Sequence, residues 1–167
     1  MIFHLIFTLA LALAQEAHYR HSGPAVLPDP AATPGEARPT TRAALCSESF
    51  HTADERHTTP ATKRRAYELY GVEPYKGMCR GGCEVDHLIS LEIGGADTLK
   101  NLWPQPSQGA FGYHLKDKLE NRLHRMICDG KISLPEAQKC IASDWYACGL
   151  RLKVFDRAGK LLPLEAQ

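Results

Sequence analysis

Three things are scarce in this chain of 167 residues. The first is charge of one sign: 20 Lys and Arg stand against 19 Asp and Glu, a net charge of +1. No basic surplus advertises a polyanionic partner, and no acidic surplus advertises a solvating tail. Any binding to a polyanion must therefore rest on local clustering or on a metal. The second is a long apolar run. The uncharged stretch at residues 1–14 falls short of the roughly 20 residues that cross a bilayer. The third is a second cysteine pair at zinc-ribbon spacing, because Cys79 and Cys83 have no companion pair. Hydrophobic residues make up 44% and charged residues 23%, which excludes a wholly disordered chain and a polytopic membrane protein.

Residues 1–14 contain no Lys, Arg, Asp or Glu and end in Ala12-Leu13-Ala14, the small-x-small pattern of a secretory signal. The expectation is a signal peptide over 1–14 and a periplasmic or secreted protein, free of the membrane after cleavage. Residues 15–44 hold Pro24, Pro28, Pro30, Pro34 and Pro39 among few large apolar residues, and read as an extended linker. The folded domain is expected over 45–150, with 151–167 as a C-terminal extension. Six cysteines in an exported domain favour disulfides over structural zinc. Proximity suggests Cys79–Cys83 and Cys140–Cys148, leaving Cys46–Cys128 as a long clasp.

Periodicity predicts a helix over 62–70 stopped by Gly71, a loop over 72–82 and a strand over 84–93 closed by Gly94-Gly95. A second extended piece follows at Asn101-Leu102-Trp103-Pro104. Leu115, Leu119, Leu123, Met126 and Ile127 form the stripe of a helix over 113–128. Ser133-Leu134-Pro135-Glu136 opens another over 134–147, and a short hairpin is expected around Ala158-Gly159. The fold class is α+β, disulfide-braced, with flanking helices.

Chemistry concentrates between Asp86 and Asp117. Neighbouring strand residues point to opposite faces, so Asp86 and His87 reach one cleft only at a strand end or bend. His114 and Asp117 lie three apart on one helix face and could share a metal. Carboxylate and imidazole donors suit Mg²⁺, Mn²⁺ or Zn²⁺. The other histidines His51, His57 and His124 read as surface residues, and Trp103 and Trp145 as core.

The run Glu84-Val85-Asp86-His87-Leu88-Ile89-Ser90-Leu91-Glu92-Ile93-Gly94-Gly95, followed by Lys100-Asn101-Leu102-Trp103-Pro104, resembles the core of HNH nucleases, the ββα-metal class. That pattern has Asp-His on the first strand of a hairpin, a glycine pair in its loop and Asn-Leu at the start of the second strand. Lys116-Asp117-Lys118-Leu119-Glu120-Asn121, with Ala137-Gln138 and Asp144-Trp145, further resembles small exported bacterial proteins of this type. The resemblance covers roughly residues 46–145. It implies that His87 is the general base and that Asn101 holds the loop and orients His87. It makes Asp86 a ligand of a divalent metal (Mg²⁺ or Mn²⁺, with Zn²⁺ as a further candidate), with His114 as the second ligand and Asp117 as a candidate third. Lys116, Lys118 and Arg122 would contact phosphates. The implied activity is metal-dependent, largely sequence-non-specific endonucleolytic cleavage of DNA, with RNA as a further candidate, and the protein is expected to be a monomer. The alternative is an inactive HNH-like fold that binds a nucleic acid or a protein.

Overall fold

A computed structural model describes residues 18–107 and 109–163. The expected leader at residues 1–14 lies outside the described residues. The elements run β1 (Arg20–Ser22), β2 (Ala25–Leu27), α1 (Arg42–Leu45), α2 (Pro60–Leu69), β3 (Pro74–Tyr75), β4 (Met78–Cys79), β5 (Cys83–His87), a 3-10 turn (Leu91–Ile93), β6 (Leu102–Pro106), α3 (Tyr113–Cys128) and α4 (Leu134–Arg151). The strands form antiparallel pairs β1–β2, β3–β4 and β5–β6. The architecture is α+β, with small sheets and helices braced by disulfides.

Local chemistry accounts for most boundaries. The Thr59 side chain caps α2 by accepting from the Thr62 amide, with Pro60 in the first turn. Helix α3 buries Leu115, Leu119, Leu123 and Ile127 at steps of four. Ser133 and Glu136 close a reciprocal capping box at the start of α4. That helix runs past the expected end at residue 147, through a non-helical Asp144 (φ −166°, ψ 96°). The expected C-terminal hairpin reduces to one bridge between Phe155 and Leu161. The loop expected at 72–82 contains the short ribbon β3–β4.

The strand expected over 84–93 stops at His87. Leu88, Ile89, Leu91 and Ile93 are buried, but in a loop and a 3-10 turn that fill the core instead of extending a sheet. The turn closes on Gly94 (φ 80°) and Gly95. A Cβ on Gly95 would sit 1.8 Å from the Ile89 carbonyl oxygen, so only glycine fits. β6 then returns beside β5 with Asp86 opposite Trp103 and His87 opposite Leu102. Helix α3 follows, so hairpin and helix are consecutive in the chain.

Residues 18–44, expected as an unpacked linker, are instead part of the fold. Ala25 and Leu27 are buried in the main core with Trp145 and Phe155. The Trp145 indole donates to the Val26 carbonyl (3.0 Å), and the Tyr19 hydroxyl donates to the Pro104 carbonyl (2.7 Å). Thr33 is fully buried against Tyr70 and the Leu102 carbonyl. Further along, the Gly35 amide donates to Lys100, and Ala37 bridges Gly95. The prolines fix an extended path, and a few small anchors hold it to the domain.

The disulfides are Cys46–Cys128, Cys79–Cys83 and Cys140–Cys148, the pairing that proximity suggested. Cys46–Cys128 joins α1 to the end of α3 across 82 residues. On a chain-entropy model a loop of that size contributes about 4–5 kcal/mol. Three disulfides fit a non-cytoplasmic protein. Among the described residues no helix is long and apolar enough to cross a membrane.

Candidate active site

β5 ends at the consecutive residues Asp86 and His87, which engage different partners. His87 is 4% exposed, and its Nε2 lies 2.7 Å from Asp97 Oδ1. Asp97 also accepts from the His57 amide (2.5 Å) and from the Thr58 hydroxyl. Burial alone would raise the Asp97 carboxyl, but the bonds from Thr58, His87 and His57 outweigh it and hold it below its usual value. An ionised carboxylate only accepts, so Nε2 carries the proton and Nδ1 carries the lone pair. Burial lowers the His87 pKa from 6.5 despite the opposing pull of Asp97. The imidazole is therefore neutral at neutral pH, the form a base requires.

Asp86 faces Lys116, which is completely buried on α3. Lys116 Nζ donates to Asp86 Oδ2 (2.9 Å), to the His87 carbonyl oxygen (2.6 Å) and to Glu120. Burial disfavours the ammonium, but Asp86 and Glu120 more than offset this and its pKa rises. Glu120 is pushed up to about 8 by burial, against the attraction of Lys116. Both shifts are upward: the one at Lys116 favours its charged form and the one at Glu120 its neutral form. The ammonium stays charged, since the Asp86 carboxylate and the oxygens of His87 and Glu120 take its three N–H groups.

A cleft of about 140 Å³ opens where these two groups meet, lined by Asp86, His87, Glu120, Ser90, Glu92 and the exposed Arg56, among others. The Ser90 hydroxyl is buried and has no hydrogen-bond partner among the described residues. Burial raises the Glu92 carboxyl. Arg56 is the cationic side chain on the rim of this otherwise acidic cleft.

The remaining expected residues divide. Asn101 is fully buried and ties the loop: its Oδ1 accepts from the Ile89 amide, and its Nδ2 donates to the carbonyls of Ile89 and Ala96. It does hold the loop, but the residue on the His87 ring is Asp97, not Asn101. His114 and Asp117 do share one helix face, with Nδ1 and Oδ2 3.6 Å apart, but the His114 side chain is 76% exposed. Burial and then repulsion from Asp86 raise the Asp117 pKa, and Glu84 is raised by burial, Asp86 and Asp117. Those carboxylates form one acidic neighbourhood without converging on a point.

The expected divalent ion does not fit this donor set. Asp86 is engaged by an ammonium. Among the described residues, the one group of three His, Cys, Asp or Glu whose ligand atoms lie within 4.8 Å of one another is Cys46, His124 and Cys128. Its two sulfurs are joined in a disulfide and are not thiolates.

The phosphate contacts also need correction. Lys116 is sealed in the interior and meets no substrate. Lys118 is two residues from Lys116, about 200° around the helix, and with Arg122 and Arg125 it lines a separate groove beside Val154, Leu161 and Leu162. Sequence reasoning missed Asp97, Arg56, Thr58 and Glu120. Of these, Glu120 had a signal: with Lys116 it falls in phase with Leu119, Leu123 and Ile127, and so on the buried side of α3. Comparisons of the chain with protein-family models, with curated proteins and with solved structures give no match.

Proposed function

We propose that the protein is an exported, monomeric HNH-type endonuclease that hydrolyses phosphodiester bonds, with His87 as its general base. The observation that carries this reading is the His87–Asp97 pair: a buried, neutral imidazole fixed in one tautomer at the edge of an acidic cleft. It stands at the end of a hairpin whose loop Asn101 ties and which leads directly into α3. The Asp-His, glycine-pair and Asn-Leu pattern of the sequence supplies the family resemblance.

His87 Nδ1 would take a proton from water as the oxygen attacks phosphorus, and Asp97 would stabilise the imidazolium that forms. The bond to the leaving oxygen breaks, that oxygen is protonated from solvent, and His87 returns its proton to water. Arg56, on the rim of the cleft, would meet a phosphate oxygen. Such contacts read backbone and not base, so cleavage would be tolerant of sequence and weakened by salt.

The test is nicking of plasmid DNA, with a parallel RNA substrate, by the purified protein and by His87→Ala. Nicking by the wild type, lost in a variant whose circular dichroism is unchanged, supports the base. Full activity in His87→Ala removes it. A second reading is an HNH-like fold that binds without cutting, favoured by the capture of Asp86 by Lys116. Strong DNA binding with no cleavage under any condition would select it.

A further inference from the structure

We propose that the Lys116 ammonium is a built-in cation that occupies the place beside Asp86 which the HNH resemblance assigns to a divalent metal. Its catalytic consequence rests on the nuclease reading; the claim about cation occupancy does not.

Three oxygens surround Nζ: Asp86 Oδ2, the His87 carbonyl and Glu120 Oε1. An ammonium has three N–H donors and no acceptor, so this shell satisfies it. Carboxylate and carbonyl oxygens are also what a hard divalent cation takes. The site is therefore built for a cation, and the chain supplies one. Lys116 and Glu120 are one helical turn apart on α3, so the cation and one of its acceptors arrive together. The contact with the His87 carbonyl ties the cation to the backbone of the proposed base. A divalent ion taking this shell would have to displace a fully buried ammonium. That would leave two cations sharing the oxygens or expel a side chain that has no exposed surface.

Mn²⁺ titration followed by electron paramagnetic resonance, on the wild type and on Asp86→Asn, tests this without reference to activity. The expected result is that the wild type has no stoichiometric Mn²⁺ site that Asp86→Asn removes. A single wild-type site abolished by Asp86→Asn would overturn the proposal. Lys116→Ala should gain one Mn²⁺ and melt higher when Mn²⁺ is present. If that variant refolds neither with nor without Mn²⁺, the wild-type titration decides alone. Nicking assays add a second arm, in which cleavage should persist in EDTA. Cleavage stopped by EDTA and restored by Mg²⁺ would sink the built-in cation and leave the nuclease reading standing. An absence of cleavage in every metal and in chelator would sink the nuclease reading, while the Mn²⁺ titration would still decide the occupancy of the site.

Discussion

Asp86 and His87 are neighbours in the chain, yet one terminates in a closed knot of charges and the other in an open pair. On the Asp86 side every N–H of Lys116 has an acceptor, and the cation is sealed from water. On the His87 side Asp97 occupies one ring nitrogen and leaves the other with its lone pair. Both use an acid beside a nitrogen base. The difference lies in the number of donors the nitrogen group carries. An ammonium consumes its surroundings to satisfy itself, whereas an imidazole needs one acceptor and keeps one position for chemistry. On the proposed reading the chemistry at this strand end would fall to His87, with the Lys116 side as its foundation.

The largest effects should come from breaking either side outright. His87→Ala should lower the nicking rate by about 10²–10⁴-fold, the usual worth of a positioned base, in a variant that stays folded. Lys116→Ala should instead cost stability. Removing one member of a buried ion cluster typically costs about 3–5 kcal/mol, to be read from urea unfolding of the metal-free variant. An exchange of these two outcomes would refute the division of labour.

Asp97→Asn should fall between, with a loss of about 10–100-fold, typical of residues that orient a functional imidazole. It should also displace the pH profile. The His87 pKa lies below 6.5 because of burial, so the wild-type rate should be flat above that pH and fall along an acid limb beneath it. Losing the Asp97 charge should move the limb lower still. Stability follows the same sign: below pH 6.5 the unfolded chain takes the proton first, so folding weakens as the pH drops toward the lower native value. Thermal melts between neutral pH and pH 5 would check this.

The smallest effects concern phosphate contact. Arg56→Ala should weaken DNA binding and reduce the salt slope by about one charge. Lys118→Ala and Arg122→Ala, on the far side of α3, should change cleavage little. A large effect there and none at Arg56 would relocate the substrate to the groove beside Leu161 and Leu162.

Helix α3 was readable because its Leu stripe has one interpretation, and its observed bounds, Tyr113–Cys128, are those expected. The disulfides were readable because two pairs are close in sequence and the third follows. The apolar run after His87 was misread as strand because a buried turn and a buried strand have the same composition; packing around Gly95 decides between them. Lys116 was misread because a lysine in a charged helix normally faces water, and only the phase of Glu120 argued otherwise. Asp97 lies ten residues beyond His87 with no regular spacing to it. A tertiary turn creates that contact, and no periodicity encodes it.

The indole of Trp145 reaches back to Val26 across 119 residues. A ribosome therefore delivers the first ribbon, β1–β2, long before the α4 surface that shelters it exists. The ribbon gains that shelter only once Trp145 has been made.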